Sequence, residues 1–293
     1  MPDGQGVATT RRRLRTELRR LREAAKLHQT DVVKQLDWSI SKLIRIENGS
    51  VGVSVTDVRA LAALYGAGPE QVEELVRLAR ITRERQWWSS YRHVLSPSLR
   101  EYIAYEADAA AIYAAHPTLV PGLLQTEEYM RAVLAPRHLE PSVSPERIEA
   151  EVEVRRRRQQ EVLYSGHPPQ YHVILDESAL RRHIGGARVM RAQIEHLMTL
   201  PDDLVSIAVW PMSAGGHIAL QGAFTIMEFA NEDEPGVLFL ESALGNPIER
   251  DQDQVHRYRK AFDAMLEECL RGDEARSLMS RVADELGRSA ESA

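Results

Sequence analysis

The sequence predicts an α+β protein. An N-terminal all-α domain of five helices is followed by a C-terminal mixed α/β domain with a small, mainly antiparallel sheet. Three observations predict it. Between residues 11 and 80, apolar positions recur at helical spacing in five short runs divided by turn residues. Between residues 101 and 285, helical runs alternate with four short segments rich in β-branched and aromatic residues. The charge is also unevenly divided. The 293-residue chain carries a net charge of −6, yet residues 11–50 hold 11 Lys/Arg against 5 Asp/Glu. That segment is +6 and residues 51–293 are −11. A basic module on an acidic body suggests a nucleic-acid-binding head.

Composition excludes other classes. A hydrophobic fraction of 43% supports a core and rules out wholesale disorder. The single cysteine, Cys269, permits no internal disulfide, Cys-based zinc site or C-x-x-C redox pair. Its expected role is a small buried hydrophobe. The polar, then basic, N-terminus has no signal-peptide stretch. Two charge-free segments, 109–126 and 204–227, are broken by prolines and glycines, so neither reads as a bilayer span. The expectation is a cytoplasmic, nucleoid-associated protein without metal or cofactor.

Residues 1–10 lack apolar periodicity and read as a disordered tail. Helix one follows, with Leu14, Leu18, Leu21 and Ala25 on one face and Arg11, Arg12, Arg13, Arg15, Arg19, Arg20 and Arg22 on the others. Residues 31–36 place Val32, Val33 and Leu36 inward. Residues 39–48 place Ile40, Leu43 and Ile46 inward, and Gly49 supplies a stop. Ser54 precedes Asp57 by three, a capping-box-like start for a helix ending at Gly66. Pro69 opens the fifth helix, with Val72, Leu75, Val76 and Leu78 inward.

Residues 81–100 form a connector whose Trp87, Trp88 and Tyr91 are expected to pack at the seam between domains. The domain at 101–285 is expected to regulate and dimerise. Helices are predicted at 101–115, 123–134 and 145–164, the last opened by Ser144-Pro145. Strands are predicted at 171–175, 204–210, 223–229 and 237–241. Shorter helices fall at 177–183 and 189–200, and helices at 251–271 and 274–287 close the domain before a tail at 286–293.

The segment HQTDVVKQLDWSISKLIRIENG, residues 28–49, carries the chemistry. Two short helices and a tight turn allow the second helix to enter the DNA major groove. Val32, Val33, Ile40, Leu43 and Ile46 take the inward phases. Ser39, Ser41, Lys42 and Arg45 take the outward phases, where hydroxyls and long cations suit base edges and phosphates. Gln29 opens the first helix of the pair, where its amide can meet a phosphate or a neighbouring side chain.

Residues 11–66 resemble the Xre/Cro-repressor helix-turn-helix family through the L-R-x-L-R-E-A-A run, Gln29, the S-x-S-K-x-x-R-I-E run at 39–47 and the trailing helix. Three positions depart from its pattern. His28 stands for Thr, Val33 for a small Ala, and Asp37 for the turn Gly; Asp tolerates the left-handed conformation better than most residues. Glu47 resembles the family's structural acid, a helix tether rather than a reader of DNA. Residues 100–270 resemble the C-terminal domain of actinobacterial antitoxin-like regulators of the Scr/WhiJ type, abundant in Streptomyces. YIAYEADAAAIYAAHPTLVPGLLQTEEYMRAVL, RVMRAQIEHLM and VSIAVWPMSAGGHIALQGAFTIMEF carry that likeness. The resemblance implies a DNA-binding regulator, often encoded beside a small partner protein and linked to development or antibiotic production.

Other constellations offer less. Arg155–158 reads either as a solvated, salt-bridged helix or as an anion or second DNA contact. The histidines lack metal-ligand spacing, and Gly185-Gly186 and Gly215-Gly216 read as turns. No nucleophile elbow or acid–base pair is evident, so an enzyme is not expected. The leading expectation is a sequence-specific regulator, a homodimer on an inverted repeat of double-stranded DNA. It would bind through Ser39, Ser41, Lys42 and Arg45, with Gln29, Asn48, Arg11 and Arg12 on phosphates. The alternative is an antitoxin-like protein whose C-terminal domain holds a small partner protein or a small-molecule effector.

Overall fold

The computed structural model describes residues 7–47, 53–82, 87–135, 143–230, 235–241 and 247–291. The chain divides into two compact units, Met1–Ser89 and Ser90–Ala293.

Among its described residues the first unit has five α-helices: α1 Val7–Ala24, α2 Gln29–Leu36, α3 Ile40–Glu47, α4 Val55–Leu64 and α5 Pro69–Ile81. Helix α1 begins at Val7, inside the segment expected to be a tail, and Thr9 and Thr10 are buried. Residues 7–10 carry no apolar repeat that would extend the helix on sequence alone. The core gathers one apolar stripe from each helix: Leu14 and Leu18, Val32, Leu43 and Ile46, Val58 and Leu61, Leu75 and Leu78. Predicted punctuation is in place. The Ser54 hydroxyl accepts from the Asp57 N–H at 3.0 Å and starts α4, and Gly66 takes φ +72° just beyond its end. Gly49 lies outside the described residues.

The described residues of the second unit form a six-stranded mixed sheet flanked by helices. In chain order it runs α6 Pro97–Asp108, β1 Ala111–His116, α7 Glu127–Leu134, α8 Pro145–Leu163, β2 Gln170–Asp176, α9 Glu177–Arg181, α10 Ala187–Thr199 and β3 Val205–Trp210. β4 Phe224–Glu228, β5 Val237–Leu240, β6 Ile248–Glu249, α11 Gln252–Glu268 and α12 Gly272–Glu291 complete it. The strand order is β3-β2-β1-β4-β5-β6. β1–β2 and β2–β3 are parallel and joined by helical crossovers, while β1–β4, β4–β5 and β5–β6 are antiparallel. One face, with Ala115, Ile174, Ala208, Phe224, Ile226 and Leu238, packs on Val255, Phe262 and Met265 of α11. Ile112, Ala114, Val173, Leu175 and Val209 on the other face are also buried. Cys269 is buried and unbridged, and burial pushes its thiol up to about 12.

The helices depart from the expected ones at 101–115 and at the C-terminal end. Residues 101–115 were expected to form one helix. Instead α6 ends at Asp108 and Ala111–His116 is the central strand of the sheet. Its alanines favour a helix in isolation, but hydrogen-bonded neighbours on both edges override that preference. The Ser-Pro start used for α8 also stands at Ser96-Pro97, where the Ser96 hydroxyl accepts from the Leu99 N–H at 3.2 Å. Finally, α12 continues to Glu291 through the segment expected to be a tail.

Candidate nucleic-acid interface

Helices α2 and α3 meet through a turn at Asp37, which takes φ 52° and ψ 47° in the left-handed region. Asp accepts that conformation more readily than a β-branched residue, so the turn survives without glycine. The Trp38 N–H bonds to the Val33 carbonyl at 2.9 Å and closes the end of α2. At the start of α2 the Asp31 carboxylate accepts from the His28 N–H at 2.8 Å. His28, standing in the Thr position, thus keeps half of a capping box.

A buried carboxylate fixes α3 against α1 and α2. Glu47 accepts from Arg22 Nε at 2.7 Å and Nη2 at 3.2 Å, and from Gln29 Nε2 at 2.7 Å. Arg22 Nη1 also donates to the Leu27 carbonyl at 3.0 Å. The two charged side chains are only 11% and 9% exposed. Burial, with the charge of Glu47 in support, pushes the Tyr65 phenol upward.

The expected contact residues fall in different places. Ser39, Ser41 and Arg45 are exposed. The Ser39 hydroxyl accepts from the Lys42 N–H at 3.2 Å, so part of its capacity serves the start of α3. Arg45 donates through Nε to the Ser41 carbonyl at 3.1 Å, which lays the side chain along the outer face. Lys42 is half-exposed and leans toward α4. Its ammonium sits 2.7 Å from the Asp57 carboxylate and 3.6 Å from the centre of the Trp38 ring. Burial alone would raise the Asp57 carboxyl, but hydrogen bonds from Lys42 and Ser54 more than offset it and hold it below the usual carboxylate range. Gln29 spends its amide N–H on Glu47. Arg12 is buried and Arg11 half-buried. Asn48 lies outside the described residues.

Ile40 is also misplaced by the sequence reading. It is 40% exposed, not inward, and Ile44, which that reading passed over, is 41% exposed. Leu43 and Ile46 fill the core side. Eight residues carrying four large apolar side chains make a stripe wider than one face, the signal that one pair must point to solvent. The outward surface of α3 is therefore two neighbouring rows, Ile40–Ile44 and Ser41–Arg45, each spaced by one turn.

In the second unit the arginine run separates residue by residue. Arg155 donates to the Gln125 side-chain oxygen at 2.8 Å. Arg156 pairs with Glu153 at 3.2 Å and Arg157 with Glu161 at 3.7 Å. Arg158 turns inward onto Glu106, with bonds of 2.8 and 2.7 Å. This ion pair lines a cavity of about 240 Å³ that also holds Tyr102, His116, Gln125 and Tyr171. A second polar pair, His217 Nε2 to Asp176 at 2.9 Å, is buried nearby in the chain. The Asp176 carboxylate also accepts from the Ser178 N–H at 2.7 Å, and the Ser178 hydroxyl donates to the Pro117 carbonyl at 2.9 Å. Among the described residues no cluster of three His, Cys, Asp or Glu is placed to hold a metal ion. No described helix is long and apolar enough to cross a membrane.

Residues 13–75 match a family described as a helix-turn-helix domain. That match covers α2, the Asp37 turn and α3, and it indicates DNA binding. Neither a curated protein nor a solved structure matches the chain. Residues 99–281, more than half of the chain, match the domain of unknown function DUF5753. The chain therefore belongs to the DUF5753 family, with a helix-turn-helix domain ahead of its family-defining region.

Proposed function

We propose that the protein is a sequence-specific transcriptional regulator, acting as a homodimer on an inverted DNA repeat under the control of its C-terminal unit. One observation carries the reading. The second helix of a helix-turn-helix presents Ser41 and Arg45 outward, while the largely buried Arg22–Glu47 pair and the half-buried Gln29 fix its orientation. Hydroxyl and guanidinium donors suit acceptor-rich base edges. A single α3 covers a short site, so two copies spaced by one helical turn, roughly 34 Å, supply the length that specificity needs. The basic head attracts the phosphates and the acidic body is repelled by them, which orients the protein on the duplex.

The C-terminal unit would supply the control by binding, without a catalytic role. The cavity bounded by Tyr102, His116, Gln125 and Tyr171 supports a small-molecule effector. An antitoxin-like role, with a small partner protein in place of the effector, separates from this reading by pulldown. The test is a genome-wide binding map with footprinting, joined to sedimentation of the purified protein. A shared palindromic motif protected by a dimer is expected. Sequence-independent coating of DNA, or a monomer on an asymmetric site, would overturn the reading. A co-purifying small protein would move the control from effector to partner.

A further inference from the structure

Within the described residues of the first unit, the exposed large hydrophobic side chains are Ile40 and Ile44, one turn apart on α3. Neither is among the core residues, where Leu43 and Ile46 are the α3 members. As β-branched residues they also favour a solvent-facing helix less than lysine or glutamate would. Beside them runs the Ser41–Arg45 row, and the cation that could have flanked the other side, Lys42, is drawn off to Asp57 and Trp38. The surface offered to DNA is thus half apolar and half polar, divided lengthwise.

The major groove displays one apolar group, the C5 methyl of thymine. We infer that Ile40 and Ile44 read thymine methyls, while Ser41 and Arg45 read neighbouring hydrogen-bonding edges. The inference rests on the DNA-binding reading and adds the base identity that α3 selects. It implies half-sites in which thymines lie beside guanine, the base whose O6 and N7 suit Arg45. Charge favours this occupant over an apolar protein surface, because Arg45 lies along the same exposed face and would be desolvated without a partner there.

The experiment uses the full chain and its footprinted operator. Each half-site thymine is replaced in turn by deoxyuridine, which removes the methyl and leaves base pairing intact. At one or two positions per half-site, binding should weaken about fourfold, the size expected for burial of one methyl group. Ile44→Ala or Ile40→Ala should weaken binding to the thymine operator and abolish the thymine-over-uracil preference at its own position. Both residues are exposed, and circular dichroism should show native folding. Equal binding of every deoxyuridine duplex, with Arg45→Ala still impairing recognition, would overturn the methyl-reading role and leave the DNA-binding reading intact. A uracil penalty that persists in Ile40→Ala/Ile44→Ala would overturn it too. So would dissociation of the dimer by those substitutions, which would assign the isoleucines to a second copy of the chain. Insensitivity to both deoxyuridine and Arg45→Ala would remove α3 from the groove altogether.

Discussion

The carboxylate of Glu47, at the end of α3, is gripped by the guanidinium of Arg22, near the end of α1, through bonds of 2.7 and 3.2 Å. With the third bond from Gln29, this joins all three helices that shape the DNA-facing surface. Removing one partner strands a buried charge, which typically costs 3–5 kcal/mol. Glu47→Ala should therefore lower stability by about 3 kcal/mol in urea unfolding and loosen α3. Arg22→Lys should restore little, because an ammonium cannot replace the two-pronged contact.

Lys42 ties the start of α3 to α4 through Asp57, and we expect its main contribution to be to the fold. Its pair with Asp57 is about one-third exposed on the lysine side and screened by solvent, and its stacking on Trp38 adds a modest amount. Lys42→Ala should cost about 1 kcal/mol in thermal unfolding and leave discrimination among operator variants unchanged. A change in base preference without a change in stability would reverse that assignment.

Burial lowers the pKa of His116 and His196, and burial with the nearby Arg259 lowers that of His172, each from an ordinary value of 6.5. Just below pH 6.5 the folded rings therefore take up protons less readily than the unfolded chain does. Below about pH 6.5 the unfolded state therefore binds more protons. Stability should be flat above neutrality and fall as pH drops through the mid-sixes toward the lowered folded values. Asp57 acts later, since its depressed carboxyl contributes stability above the ordinary range that is lost only as acid reaches its folded value. Urea midpoints between pH 8 and pH 5 check the first effect, and His116→Asn should shallow the slope.

Glu106 is fully buried and Arg158 nearly so. Arg158→Ala leaves the carboxylate without its partner and should cost about 3 kcal/mol. Arg158→Met combined with Glu106→Leu should recover most of that loss, because apolar replacement removes both desolvation costs together. Calorimetry of the single and double variants separates a structural ion pair from a mere surface contact.

The parts legible in the sequence are those governed by local chemistry. Ser54 and Ser144 begin helices by accepting from backbone N–H groups three residues on, and Gly66 follows the end of one. Asp37 keeps the turn that its tolerance of positive φ predicts. The failures are tertiary. β1 was hidden because Ala114 and Ala115 are buried on opposite faces of a central strand, which erases alternation. Helical phase alone does not show that the long stem of Lys42 reaches sideways to Asp57, and it puts Ile40, whose phase borders both faces, on the wrong one. The arginine run showed its helix but not that Arg158 would cross to Glu106, 52 positions earlier.

We propose that α3 selects DNA sequence through its outward face. The most direct test is a titration of wild type and Arg45→Ala against the mapped operator and a scrambled duplex at one fixed salt concentration. Wild type should prefer the operator by at least about a thousandfold. Arg45→Ala should lose about 1–3 kcal/mol of that preference while keeping its melting temperature. Equal wild-type affinity for both duplexes, or an Arg45→Ala variant with full discrimination, would contradict the account.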